Sequence, residues 1–399
     1  MRTHRNISVD KTAPQRLLRF VSWVALGMAI LLLAWLARQL SFTRYLIPRG
    51  DFIEYWSAGR LLLAGDNPYD PTRLLAVQQA VGRVSARPLL MYNPPWIFPL
   101  IIPFALLPYS ISRLVWLSFQ VAVLFFCASS LWRLCSGQQH RVWISWMVLF
   151  TFLPTLTALL LGQLGPFILL GVVLFLNFEH QRNWIAAGLA ILLIALKPQL
   201  CFLFWLAFLL WCFRYKKWTL LAAVSLSFLL ALTVPLLFNS KVITQYLYAV
   251  VHFPPVEWVT PTFGAALRVL LGAEKFWLQF IPAVGGVIWL LLHWHKCCAN
   301  WDWKREMGKV VLISFLTSPY AWLHDHVVLA LIVIPALVIA LSSHSKLSWC
   351  VVLGYLLING LAWALYVLYL PGESWFIWLS PALGFLYGGV LRFHGELVP

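Results

Sequence analysis

Apolar runs recur along almost the whole chain, and this repetition most narrows what it can fold into. They fall at about 20–37, 96–108, 112–131, 142–160, 164–178, 184–196, 198–213, 218–238, 276–292, 308–320, 327–341, 347–370 and 375–391. Crossing the hydrocarbon core takes roughly 17–25 apolar residues in a helix. The shorter runs 96–108, 184–196 and 198–213 therefore read as tilted, re-entrant or half helices. Backbone groups in lipid must satisfy their own hydrogen bonds, which favours helices throughout. The expectation is an all-α polytopic membrane protein with about 12 transmembrane helices.

Composition removes the alternatives. Of 399 residues, 62% are hydrophobic and 11% charged, whereas soluble domains carry roughly a quarter charged residues. An ordinary soluble enzyme is excluded, and so is a disordered chain. The formal charge of +16 would suggest nucleic acid in a soluble protein. Here the basic excess is expected beside anionic lipid on the cytoplasmic face, with membrane lipids as partners and no nucleic acid. The seven cysteines show neither a disulfide framework nor zinc-ligand spacing.

Charge also orients the chain. Arg2, Arg5, Lys11, Arg16 and Arg19 precede the first run, which reads as a retained helix rather than a cleaved signal. Placing 96–108 as a juxtamembrane or re-entrant helix on the outer side puts Arg214, Lys216 and Lys217 inside. It does the same for the Lys296-to-Lys309 cluster, and both termini. Two long loops, 41–95 and 239–275, then lie outside. No repeat or flexible linker divides the chain, so residues 1–399 are expected to form one integral membrane domain in the cell (inner/plasma) membrane.

In so apolar a chain, an ionisable residue at membrane depth needs a reason. Five clusters qualify. Asp51, Glu54 and Tyr55 share a helical face within DFIEYWSAGR, near Trp56 and Arg60. This is either an interfacial helix with ordinary capping acids or an acidic face toward a cavity. Asn67, Pro68, Tyr69 and Asp70 follow as a turn with capping chemistry. Tyr92-Asn-Pro-Pro-Trp96 is either a helix entry or a substrate contact. Gln163, within Gly162-Gln-Leu-Gly-Pro166, is either part of a tight turn or a hydrogen-bonding group for a polar ligand. Lys197-Pro-Gln199 interrupts two apolar runs. A cation there either snorkels to a carboxylate or meets a phosphate. Ser318-Pro-Tyr-Ala-Trp-Leu-His324-Asp325-His326 is either a polar hinge or a site. All five map to the outer side by this topology, and their convergence on one cavity is expected. No P-loop, dinucleotide fingerprint or serine elbow occurs.

Taken in order, DFIEYWSAGRLLLAGDNPYD, YNPP, GQLG, ALKPQ and SPYAWLHDH resemble the blocks of glycosyltransferase family 87, of the GT-C superfamily. The resemblance covers about residues 50–330. It implies a GT-C fold with juxtamembrane helices in the first outer loop and catalysis on the extracytoplasmic face. It implies an inverting, metal-independent mannosyltransferase without a cofactor, drawing on a polyprenyl-phosphate sugar and serving a lipid or glycan acceptor. It also implies that Asp51 is the general base and that His324 is functional. Mannose comes from the resemblance alone.

The residues suit that chemistry on their own terms. An acceptor hydroxyl must lose a proton, and Asp51 suits the task. A departing phosphate needs a cation, for which Lys197 is the candidate, with Arg60, His324 and Arg268 as helpers. Glu54, Tyr55, Trp56, Asn67, Tyr69, Tyr92, Gln163, Gln199, Asp325 and His326 are the candidates for holding substrate. Two rivals stand beside this reading. A secondary transporter or lipid flippase would account for the spans and Lys197, but it predicts internal repeats. A GT-C relative that ligates or polymerises lipid-linked glycans is the other.

Overall fold

The computed structural model describes Trp23 and residues 50–342, 346–368 and 372–394. The first apolar run, its basic tail and the opening of the first loop lie outside the described residues, Trp23 excepted. All regular structure among the described residues is helical.

The first described helix, α1 (Phe52–Leu63), buries most of its length. A turn follows, in which Asn67 accepts a hydrogen bond from the Tyr69 amide at 3.0 Å. Asp70 then caps α2 (Pro71–Ala80), accepting from the Thr72 and Arg73 amides at 2.9 Å. Pro71 takes the first helical position, where its missing N–H costs nothing. The short helix α3 (Phe98–Ala105) lies hard against α1. A Cβ on Gly59 would stand 2.7 Å from that of Ala105, so only glycine permits this approach.

The long helix α4 (Tyr109–Leu134) leads to α5 (Val142–Thr151) and α6 (Leu153–Leu161), bent from one another by 63°. Pro154 sits at that bend. Next come α7 (Gly165–His180) and α8 (Trp184–Ile194). The segment Pro198–Arg214, containing α9 (Phe202–Arg214), turns back from α8 by 119°. The helix α8 ends at Ile194, and proline at 198, which cannot donate to a preceding turn, keeps it from resuming through Lys197. The chain continues through α10 (Trp218–Phe238), α11 (Val242–His252), α12 (Phe263–Leu271), α13 (Ile281–Cys297) and α14 (Trp303–Thr317). It ends with α15 (Ala330–Ser342), α16 (Lys346–Val367) and α17 (Leu379–His394).

The expected count of about 12 spans needs correction. Among the described residues, which leave out most of the run at 20–37, six helices are long and apolar enough to cross a membrane, or up to eight if each bent pair is one span. The physical reason is that a protein interior and a lipid core select the same residues. The apolar stretch within Leu323–Ser342 is 89% buried by protein, against 28% for Trp218–Phe238. The latter exposes Leu226, Leu229, Leu230 and Leu237, a face that suits lipid. The runs at 96–108 and 164–178 became the short helices Pro95–Ala105 and Gly165–His180. The run at 308–320 became α14, which opens with Lys304, Arg305 and Glu306.

Candidate active site

The turn between α6 and α7 organises the site. Gly162 ends α6 with φ +72°, a left-handed conformation that glycine adopts without strain. Three side chains on one face of α4 grip this turn. Arg113 donates to the Leu159 carbonyl at 3.1 Å and to that of Leu160. Trp116 donates to the Gly162 carbonyl at 2.9 Å, and Gln120 to the Gln163 carbonyl at 2.6 Å. Positions 113, 116 and 120 follow helical spacing, so one face delivers all three.

Held in this way, the Gln163 amide bridges three functional groups. Its Nε2 donates to Asp51 Oδ2 at 2.6 Å. Its Oε1 accepts from Lys197 Nζ at 2.8 Å and from the Tyr55 hydroxyl at 3.0 Å. Lys197 also donates to Asp325 Oδ1 at 2.8 Å. Both charges are buried, so each depends on the other. The second Asp325 oxygen accepts from the Trp322 amide at 2.9 Å and caps the helix Leu323–Leu329.

The break at Lys197 is stabilised from the first loop. The carbonyls ending α8 have no helical partners of their own. Trp96 Nε1 donates to Ala195 O and Asn93 Nδ2 to Leu196 O, both at 2.9 Å. The Tyr-Asn-Pro-Pro-Trp segment thus ties off a helix end.

These segments enclose a cavity of about 430 Å³. Of the residues expected at a site, Asp51, Glu54, Tyr55, Tyr92, Gln163, Lys197, Gln199, His324 and Asp325 line it. All five sequence clusters therefore meet at one place. Burial pushes the Asp51 carboxyl above its usual range, against the Gln163 hydrogen bond and the charge of Lys197. Burial, then the neighbouring Asp51, push Glu54 well above its own. The His324 ring is buried, and neither nitrogen has a hydrogen-bond partner. Its Nε2 lies 3.6 Å from Asp325 Oδ1.

Other expected residues stand off the lining, and helix periodicity explains two of them. Trp56 and Arg60 share the next face of α1, turned toward α3 and its C-terminal end. Trp56 donates to Leu107 O at 3.0 Å, and Arg60 to Ala105 O at 3.3 Å. Asn67 serves its own turn. Tyr69 donates to the Asn93 carbonyl at 3.1 Å and stands behind the lining. His326 is occupied by Trp322 O at 2.9 Å and Ser380 Oγ at 2.7 Å, which tie it into the fold. Arg268 donates to the Trp258 carbonyl at 2.7 Å, holding a lining residue from the outside.

Trp258, Tyr246 and Glu373 line the cavity without having been singled out from the sequence. Trp258 stands edge-on to Tyr92, Tyr320 and Trp322, with ring centroids 5.0, 6.0 and 5.5 Å apart. It belongs to the second long loop, which carries no block of the resemblance. Glu373 carried a signal: an isolated acid between two apolar runs.

Near the opposite end of α14, donor atoms of His293, Cys297 and Glu306 lie within 4.8 Å of one another. Lys309 Nζ contacts the two Glu306 oxygens at 3.0 and 3.2 Å. An ammonium there already neutralises the carboxylate that a metal would need.

Membrane-length helices, broken helices aimed inward and a buried polar cavity define a polytopic membrane protein with a built site at its helix breaks. Comparison with family models makes this specific. The model of glycosyltransferase family 87 matches residues 91–319, more than half of the chain. The chain belongs to glycosyltransferase family 87, a family of the GT-C type, and is a glycosyltransferase. No curated protein and no solved structure matched it. Tyr92, Gln163 and Lys197 fall within the matched residues, whereas Asp51, His324 and Glu373 fall outside them.

Proposed function

We propose that the cavity transfers a hexose, mannose by the family resemblance, from a polyprenyl-phosphate sugar to a hydroxyl of a lipid or glycan acceptor. The transfer takes place on the extracytoplasmic face of the cell membrane, with inversion and without a metal. The observation that carries this reading is the Asp51–Gln163–Lys197 relay, which sets a base and a cation on one amide.

Asp51 takes the proton of the acceptor hydroxyl as its oxygen bonds to the anomeric carbon. The bond from that carbon to the phosphate oxygen breaks, and its electron pair leaves with the phosphate. Gln163 occupies one Asp51 oxygen and orients the other. The raised carboxyl range makes Asp51 a stronger base once ionised. Lys197 has three N–H bonds, of which Gln163 and Asp325 accept two. The third is available to the departing phosphate, as is the N–H of the His324 ring, whose nitrogens have no hydrogen-bond partner. Arg60 and Arg268 stand off the lining, on the Ala105 and Trp258 carbonyls, so this role is assigned to Lys197 and His324. Tyr92, Trp258 and Trp322 supply aromatic surface against which a sugar ring can lie.

The test is transfer in liposomes from radiolabelled polyprenyl-phosphate sugars to total membrane lipid and glycan. Wild type is expected to form a labelled product, and Asp51→Asn to lose about 100-fold or more of the rate. Folded wild type that transfers label from none of the donors refutes the reading.

A further inference from the structure

One carboxyl in the cavity lies outside every sequence block. Glu373 immediately precedes the short helix Ser374–Phe376, which leads into α17, and its side chain does not cap that helix. Its Oε2 accepts from the Leu323 amide at 2.7 Å, across 50 residues of chain. The helix Leu323–Leu329 opens at that amide, and free amides at a helix start need acceptors. Asp325 takes the Trp322 amide and Glu373 takes the next one, so the two acids secure the backbone leading into His324.

This anchoring uses one oxygen. Among the described residues Oε1 has no hydrogen-bond partner, and the side chain lines the cavity together with Asp51, Glu54 and His324. A group needed only to hold an amide has no reason to face the cavity. We infer that Glu373 is a substrate-binding residue: Oε1 engages a hydroxyl of the carbohydrate in the cavity, while Oε2 fixes the backbone beside His324. The inference rests on the transferase reading of this cavity.

The ligand is a hydroxyl and not the phosphate, because the carboxylate form would repel that charge and the Lys197 ammonium in the same cavity already serves it. Lys197, which lines the same cavity, is the phosphate partner of the proposed reaction, and Glu373 is left for the sugar. Burial raises the Glu373 acid to about 7; Asp325 and Asp51 add to this, against the Leu323 amide and Lys197. Near neutrality it can therefore accept a hydrogen bond as a carboxylate or donate one as an acid.

Glu373→Gln separates the two roles. Its amide carbonyl still accepts from the Leu323 amide, while its NH2 replaces the acidic oxygen in the cavity. Kinetics of wild type, Glu373→Gln and Glu373→Ala are measured with donor and acceptor varied separately, per mole of folded protein. Thermal unfolding in detergent is followed alongside. Glu373→Gln is expected to unfold like wild type and to lose about 10–100-fold in kcat/KM, with the KM rise assigning the hydroxyl to donor or acceptor. Wild-type kinetics in Glu373→Gln would overturn the inference and leave Glu373 as an anchor only, even if Glu373→Ala fails to fold. Absence of transfer by folded wild type would overturn the transferase reading of the cavity, and this inference with it.

Discussion

Lys197 Nζ meets Asp325 Oδ1 at 2.8 Å, although 128 residues separate them in the chain. The contact joins two helix breaks. One is the turn between α8 and α9, and the other is the start of the helix that continues into α15. Each charge lies at a depth where it would be costly alone. Gln163 extends the pair to Asp51, so the base and the cation of the proposed reaction share one hydrogen-bonded frame.

That pairing predicts an asymmetric mutational response. Lys197→Met should strand Asp325 as an unpaired buried carboxylate and destabilise by about 3–5 kcal/mol. Lys197→Met combined with Asp325→Leu removes both charges and should recover most of that loss. Activity should stay low in both proteins, since the phosphate contact is gone. Thermal unfolding in detergent, measured beside transfer assays, checks both halves. A double variant as unstable as Lys197→Met would show that the two residues are not coupled.

The Gln163 amide should set the pH dependence of the reaction. Its hydrogen bond to Asp51 lowers the acid's pKa, partly offsetting the larger upward push of burial. Gln163→Ala removes the lowering contribution, so the Asp51 pKa should rise further. The reaction needs the carboxylate, and activity climbs as pH rises through that pKa. The acid limb of kcat/KM should therefore move to higher pH in Gln163→Ala. A limb that stays in place would separate Gln163 from the titration of Asp51.

Gly162 should tolerate no side chain. A Cβ there would stand 2.8 Å from Phe52 Cβ and 2.9 Å from an Arg113 nitrogen, on a backbone with φ +72°. Gly162→Ala is expected to cost more than about 1 kcal/mol and to displace Gln163. Activity should fall by about tenfold or more even where the protein folds. Full activity in Gly162→Ala would mean that the turn can relax without moving Gln163.

The proposed sidedness is open to labelling. Val84 is 90% exposed in the connection that follows α2 in the first long loop. In a variant whose native cysteines are replaced, Val84→Cys should react with a membrane-impermeant maleimide on intact cells. Lys216→Cys, in the basic turn between α9 and α10, should react only after permeabilisation. The reverse pattern would place the cavity on the cytoplasmic face.

The sequence by itself determined the class of this protein, because membrane solubility is local and additive. Long apolar runs, few charges and polar interruptions at fixed places need no tertiary partner to be recognised. The blocks around Asp51, Gln163, Lys197 and His324 stood out for the same reason, as polar groups where apolar ones belong. Tertiary structure alone decided how many runs reach lipid length. Burial against protein and burial in lipid leave the same composition, as the enclosed stretch within Leu323–Ser342 shows. It also decided which neighbours of a motif reach the cavity. Asp51 and Tyr55 face it while Trp56 and Arg60 turn toward α3, a difference of one step around a helix. Trp258 entered the site only through contacts across the fold, and Glu373, an isolated acid in the sequence, was assigned to it by its contact with Leu323. Such contacts depend on how distant helices pack, which no local pattern of residues encodes.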